Sequence, residues 1–542
     1  MSIHRRTGWL GLLAAVMTGT PLLGFAFRFG AAAPLSLFQA DAFYYLDITR
    51  SSAGRPGFTF DGVHQTNGFH PLWQWLLSFS RWLGLINFTD PSRAALEVFF
   101  LNTILLSLAA GLLTLFAARQ LRSKPLALLV TAPGLIWFAA TPITPGYLST
   151  WSYANGMESA LSLSMMTFAL LLWRDGDAST TRDLCFSFAL GLAVLARLDD
   201  VFFLAAIVAW GLLFRRLSPR RLIFLVAPAA SLILAYLLYN RLHVGAFLPL
   251  SGVAKAGLAI DGNLRWSAKL FVPMLTKTAP SVLDRGAPDA FAPEAIRAFQ
   301  MIVPPLICLI ELAATQRSRR GFGLLQALCV GVVLKGLYNF VLVAGHSQGL
   351  WYYTVSIAIA NLVLVVWLDR LGVRLWSETP LKRYWIPGYV ILGLFSFSAL
   401  YGTVSTEVPA WPFRLLRRAP AFAAELKQNG DPCFTELDDG FTSYALNVPA
   451  EAGIGLALDS EAMQASRQNT LLPLLRQRGC SLLIASPVYA GAVQDYLATK
   501  AWQQGVNLFA IHAGEFQRFT LRPLSSPDNI GWAIFRIEPI SP

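Results

Sequence analysis

Asp41-Ala-Phe-Tyr-Tyr-Leu-Asp47, followed by Thr59-Phe-Asp-Gly-Val-His-Gln-Thr-Asn-Gly-Phe-His-Pro-Leu-Trp73, comes after the first apolar run of the chain. It holds three carboxylates, two histidines and an Asn-Gly turn. Polar chemistry of this density between two apolar runs marks a loop with work to do, because a loop that only connects spans has no need of it. Asp41 lies three and four residues from Tyr44 and Tyr45, so on a short helix the three share a face. An Asp there can cap the helix. Its place in this loop points instead to a general base that takes a proton from an attacking hydroxyl.

The surroundings are membrane-like. Of 542 residues 55% are hydrophobic and only 14% charged, with mean hydropathy +0.51, whereas soluble chains carry about a quarter charged residues. The 16 Trp, 15 Tyr and 37 Phe suit a chain with many headgroup boundaries to anchor. Apolar segments fall at 8–28, 97–117, 125–141, 157–173, 184–196, 201–214, 222–239, 299–315, 322–344, 351–368 and 385–402. Several are shorter than the ~20 residues of a perpendicular span, and 184–196 with 201–214 reads either as two short spans or as a broken hairpin.

With all segments crossing, the basic connectors alternate. Arg5/Arg6, Arg119/Arg122/Lys124, Arg174/Arg182, Arg215/Arg216/Arg220/Arg221, Arg317/Arg319/Arg320 and Arg370/Arg374/Lys382/Arg383 fall on one side, which the positive-inside rule makes cytoplasmic. The formal charge of +12 is spread over these runs rather than gathered on a soluble face, which argues against nucleic acid as a partner. The charged start and apolar run at the N-terminus also fit a signal peptide, but the alternation works only if this segment stays as the first helix. The loops 29–96, 142–156, 240–298 and 345–350 and the tail 403–542 then face outward.

The tail loses the apolar runs. Strands are expected at Ser481–Ala485 and Trp532–Ile537, and a helix over 460–478. Cys433 and Cys480 both fall in the tail, where a disulfide is open to them. Cys185, Cys308 and Cys329 read as small buried hydrophobes.

Three further polar groups share the outward face. In Asn155-Gly-Met-Glu158, Asn155 is placed to cap a helix, with Glu158 in its first turn. Glu158 can also orient substrate hydroxyls or help hold a divalent cation, the one cofactor role the sequence leaves open. Arg197-Leu-Asp199-Asp200 puts three charges between apolar pieces, where they must pair or line a wet cavity. Arg241, His243, Lys255 and His346-Ser-Gln348-Gly-Leu-Trp351-Tyr-Tyr353 suit a lipid-linked phosphate, although each alone can be an interfacial anchor. A Walker A loop, a zinc-type Cys/His spacing and a nucleophile elbow are all absent. No metal-ligand set is assigned: His64 and His70, six residues apart, could be ligands, but read rather as ordinary loop histidines.

At Asp41-Ala-Phe-Tyr-Tyr45, Thr66-Asn-Gly-Phe-His-Pro-Leu-Trp73, Asn155-Gly-Met-Glu-Ser159, Leu195-Ala-Arg-Leu-Asp199, Gly245-Ala-Phe-Leu-Pro249 with Lys255, and Gln348 to Tyr353, the chain resembles the GT-C superfamily of membrane glycosyltransferases. The nearest likeness is to its bacterial arabinofuranosyltransferase-like branch. The tail, with Asp438-Asp-Gly and Tyr444, resembles that branch only loosely. The resemblance implies an α-helical polytopic membrane protein with about 11 transmembrane segments (1–402) and a small α/β extracytoplasmic domain (403–542). It implies inverting transfer of a sugar from a polyprenyl-phosphate donor, with Asp41 as catalytic base. Lys255 and Arg241 are then the expected phosphate contacts and Arg197 supports the site, while Glu158, Asp199, His346, Gln348, Trp351, Tyr352, Asn67 and His70 contribute to substrate binding. The acceptor would be an envelope glycan, glycolipid or protein outside the inner membrane of a bacterium. One departure matters: many relatives carry adjacent acidic residues where this chain has Ala40-Asp41, which weakens a metal role for the loop and leaves the base role. Asp47, nearly two helical turns away, is a poor substitute.

A lipid-linked-sugar transporter or flippase and a non-catalytic envelope-assembly protein are the competing readings. The missing internal repeat and the one-sided chemistry weigh against the first, and the carboxylate-rich loop against the second.

Overall fold

The computed structural model describes residues 2–38, 40–131, 153–173, 179–213, 218–255, 288–317, 323–343, 350–376, 411–428, 430, 433–437, 440–453, 457–485, 515, 519–524 and 533–540. The expected segments 125–141, beyond residue 131, and 385–402 lie outside these residues, as do His346, Gln348, Asp438 and Asp439.

Cα packing separates two compact units. One comprises Met1–Gly30, Phe99–Leu234 and Leu258–Glu407; the other comprises Ala31–Val98, Ala235–Gly257 and Val408–Pro542. The polar loop around Asp41 thus packs in one unit with the tail, a grouping that chain order conceals.

Among the described residues, Gly8–Phe29, Pro91–Gln120, Pro219–His243, Leu324–Leu342 and Thr354–Leu371 are long and apolar enough to cross a membrane. Ser159–Leu172 and Met301–Thr315 are shorter apolar helices. Their outer faces carry large apolar side chains such as Trp9 and Phe27, which water would penalise and lipid accepts. Within the first unit small residues let helices touch. A Cβ on Gly11 would stand 3.0 Å from the Gly111 carbonyl oxygen and one on Gly111 the same distance from that of Gly11, so the N-terminal helix meets Pro91–Gln120 backbone to backbone.

The basic connectors also act locally. Arg221 clasps Asp183 at 2.9 Å, and Arg370 reaches Glu311 at 3.1 Å, where Trp367 Nε1 donates at 2.6 Å and Gln326 Nε2 at 3.2 Å. Cys308 and Cys329 are buried, whereas Cys185 turns out to be exposed, on the outer side of its helix.

The segment expected as two short spans or a hairpin is a helix Thr180–Ala196, a break, and a helix Val201–Leu213. Arg197 is extended at the break (φ −149°, ψ 107°) and Leu198–Asp200 forms a 3₁₀ turn. The first helix packs on Ser159–Leu172 and the second on Leu324–Leu342, so the break is held between two different neighbours.

In the second unit the tail forms a five-stranded sheet of β1 (Cys433–Leu437), β2 (Ala450–Ala452), β3 (Cys480–Ala485), β4 (Phe519–Leu524) and β5 (Ala533–Pro539), in the order β2-β1-β3-β5-β4. β1 pairs parallel with β2 and β3, and β5 pairs antiparallel with β3 and β4. Parallel neighbours require crossovers, supplied here by helices. Phe434, Leu482, Leu483, Ile484, Leu471 and Leu472 form the core beneath them. Cys433 and Cys480 are bonded as a disulfide across β1 and β3. The expected helix 460–478 is two, Ser460–Arg467 and Leu471–Gln477, because Asn469 takes a left-handed turn (φ 55°) between them.

Candidate functional site

Asp41 occupies the first turn of the helix Ala40–Ser51, half-buried, where the positive helix end favours a carboxylate. The rest of this helix is fixed from several sides within the second unit. Arg81 donates to the carbonyl oxygens of Thr49 (2.6 Å) and Arg50 (2.7 Å), satisfying the orphan acceptors at its C-terminal end. Gln74 Nε2 donates to Thr49 Oγ1 at 2.8 Å, and the backbone N–H of His70 donates to Tyr45 Oη at 3.1 Å.

Asp47 is buried and its carboxylate accepts from both Arg50 and the Ser443 hydroxyl. Arg50 also donates to the carbonyl oxygens of Tyr444 (3.0 Å) and Ser443 (3.2 Å). Phe43 meets Phe441 edge to face, with ring centroids 4.7 Å apart. Gly440 permits this approach: it has φ +90°, and a Cβ there would stand 2.8 Å from the backbone nitrogen of Tyr44. Burial pushes the Tyr444 phenol up, and its hydroxyl donates to the Pro91 carbonyl at 2.5 Å. Asp47 therefore ties the Asp41 helix to the short helix Phe441–Leu446.

The other residues singled out in this unit are placed as follows. Asn67 is buried, accepting from the Leu250 N–H at 3.0 Å and reaching the Leu248 carbonyl at 3.5 Å. It thereby fixes the turn that starts the helix Leu250–Lys255, at whose end Lys255 lies. His70 is the residue just before the helix Pro71–Trp82. Arg241 is exposed at the end of Pro219–His243, bonded to the Gly245 carbonyl and lying over the Phe247 ring at 5.8 Å.

In the first unit five charges converge at the helix break. Arg197 meets Glu158 at 2.5 Å and Asp199 at 2.9 Å, and its guanidinium lies 4.4 Å from the Tyr352 ring centroid. Trp351 is buried beside Tyr352. Lys335 meets Asp200 at 2.5 Å and Asp199 at 3.3 Å, and the Ser162 hydroxyl donates to Asp200. Three carboxylates thus face two cations, leaving one negative charge in excess. Asp199, in contact with both cations, is the least buried carboxylate of the three.

Two expectations change here. Asn155 does not cap the helix start: its Oδ1 accepts from the Met157 N–H at 3.0 Å in a turn. Glu158 precedes the first helical residue, Ser159, makes no side-chain cap bond, and gives its carboxylate to Arg197 instead. An ion pair in an apolar interior outweighs a cap, because an unpaired guanidinium there is the costlier alternative. Lys335 escaped the sequence reading, although a lone Lys within the apolar run 322–344 is the same signal that singled out Arg197.

A second cluster in the second unit also went unread. His64 Nδ1 lies 2.6 Å from Asp61 Oδ2 and 3.9 Å from Glu451 Oε1. Burial would raise the Asp61 carboxyl, but the Val63 N–H, the His64 ring and N–H and the Thr59 hydroxyl together hold it below the usual range. Burial pushes Glu451 up to about 7, with Asp61 and Asp459 adding to the rise and Arg478 opposing it. Arg478 bridges Glu451 (3.0 Å), Asp459 (2.6 Å) and Glu461 (2.7 Å).

No protein-family model matches the sequence, and no curated protein matches it. Among solved structures, the chain is similar to ArnT from Cupriavidus metallidurans bound to undecaprenyl phosphate: TM-score 0.54 and 13% identity, over 98% of this chain and 98% of that one. The archaeal oligosaccharyltransferase AglB from Archaeoglobus fulgidus, in complex with an inhibitory peptide and a dolichol-phosphate, aligns at TM-score 0.46 and 14% identity over 100% of this chain and 75% of that one. The fold is similar to that of this ArnT structure, a helical membrane architecture with a small sheet at the C-terminal end. The arabinofuranosyltransferase-like branch rests on the motifs alone.

Proposed function

We propose that the protein is an inverting glycosyltransferase that moves a sugar from a polyprenyl-phosphate donor to an envelope glycan, glycolipid or protein. The observation that carries this reading is Asp41, set in the first turn of a helix that Arg81, His70, Gln74 and the Asp47–Ser443 link immobilise. A general base must be held to a fraction of an ångström, and that framework supplies the restraint.

In the proposed step Asp41 takes the proton of an acceptor hydroxyl while the oxygen attacks the anomeric carbon. The carbon–oxygen bond to phosphate breaks, and the polyprenyl phosphate leaves with the electron pair. Lys255 and Arg241 would neutralise the departing phosphate. Asn67 would act by placing the Leu250–Lys255 turn, given its bonds to Leu248 and Leu250. The cluster of Arg197, Glu158 and Asp199 with Tyr352 would support donor binding, with Trp351, His346, Gln348 and His70 lining the substrate. No nucleotide is needed, since the phosphate ester carries the driving force.

The reaction belongs on the outer side of the inner membrane of a bacterium, with the N-terminus cytoplasmic. The disulfide between Cys433 and Cys480 supports an oxidising environment for the tail. The test is transfer of labelled sugar from polyprenyl-phosphate donors in membranes carrying wild type or Asp41→Asn. Activity that is lost only in the variant is the expected result. Movement of the donor across vesicles without any transfer would replace this reading with a flippase.

A further inference from the structure

We infer that Asp61, His64 and Glu451 form a divalent transition-metal site, at residues the proposed transfer does not use. The ligand atoms of these three side chains lie within 4.8 Å of one another, the one such group among the described residues. One imidazole nitrogen with two carboxylate oxygens is a donor set for Zn²⁺ or Mn²⁺ rather than for Ca²⁺ or Mg²⁺, which take oxygen alone. Ligand atoms about 2.0–2.2 Å from such an ion stand roughly 3.0–3.6 Å apart. The 2.6 Å and 3.9 Å separations at His64 Nδ1 bracket that spacing. A rotation of the half-buried His64 ring by less than about 1 Å equalises them, within ordinary side-chain freedom.

The turn that presents two of the ligands is built in advance. Asp61 Oδ1 accepts from the N–H groups of Val63 (2.9 Å) and His64 (2.8 Å) and from the Thr59 hydroxyl (2.8 Å). Those bonds use one oxygen and leave Oδ2 turned to His64. Gly62, at φ +85°, closes the turn, and Thr59 bridges to Gln65 across it. The third ligand comes from a rigid element, since Glu451 lies in β2 paired with Thr435 of β1.

Charge points the same way. Glu451, Asp459 and Glu461 gather around Arg478, Asp61 lies close enough to Glu451 to act on its charge, and the Arg55 guanidinium lies against Gly62. Among the described residues, these four carboxyl groups outnumber the two guanidinium groups beside them. A divalent cation balances that excess.

The test uses the full-length, untagged protein in detergent, stripped with a chelator and titrated with Zn²⁺ or Mn²⁺ by calorimetry, with metal content read by mass spectrometry. One ion per chain is expected, with binding at least about tenfold weaker in His64→Ala and in the near-isosteric Glu451→Gln. His243→Ala, at a histidine outside the cluster, should bind as the wild type does. Co²⁺ loaded in place of the ion should show visible absorption bands that His64→Ala alters. A wild type that retains no stoichiometric ion, or a His64→Ala protein that binds and absorbs like wild type, overturns the inference.

Discussion

Asp41 and Asp47 share one helix yet have different surroundings, and that difference separates their roles. Asp47 is buried between Arg50 and Ser443, with no face left for substrate. Asp41 is half-buried at the helix start. Asp47→Ala leaves Arg50 without its carboxylate. We expect it to destabilise the protein by about 2 kcal/mol or more, seen as a lower melting temperature. Transfer should fall in parallel with the folded fraction. Asp41→Asn keeps the shape, so its melting temperature should match wild type while turnover drops about 10²–10⁴-fold. The sequence singled out Asp41 because an acidic residue in a polar loop between apolar runs has few structural reasons to exist, and its role as base stays a proposal. It could not show the role of Asp47, whose partner Ser443 lies almost four hundred positions away.

At the scale of elements, the break between Thr180–Ala196 and Val201–Leu213 explains why charges collect where they do. One helix delivers Arg197 to Glu158, the other delivers Asp200 to Lys335 on Leu324–Leu342. Removing one member of the Lys335–Asp200 pair strands a charge in a buried interior. Lys335→Met should therefore cost about 3 kcal/mol or more, and Lys335→Met with Asp200→Asn should recover much of the loss. A double variant no more stable in thermal unfolding than Lys335→Met would show that the two do not act as a pair. The apolar periodicity revealed both helices, and the charges between them revealed the break. Which neighbour each helix chose was hidden, since every apolar run offers the same generic surface. The caps show the same limit: Asn155-Gly-Met-Glu158 carries a helix-start signature, but the ion pair with Arg197 took precedence. In the tail, the strands at 481–485 and 533–537 were readable from their apolar runs, whereas Asn469 split a helix whose amphipathic pattern continues through it.

For the whole molecule, composition was enough to indicate a helical membrane protein with a small mixed domain, and the similarity to the ArnT structure bears that fold out. The grouping of the loop 31–98 with the tail was not legible, because it depends on contacts such as Thr66 with Leu458 that leave no local trace. The disulfide closes a separation of 47 residues within that unit. Chain-entropy arguments give such a loop about 4 kcal/mol of stabilisation. Reduction, or Cys433→Ser, should lower the melting temperature of the purified protein, and an unchanged melt would assign the bond no structural part.

The most direct measurement is the anomeric configuration of the product, read by NMR, when purified protein in liposomes is given a polyprenyl-phosphate sugar and a hydroxyl acceptor. Wild type should give a glycoside of inverted configuration, and Asp41→Asn none above background. A product of retained configuration, or full activity in the Asp41→Asn protein, would contradict a single displacement driven by Asp41 as base.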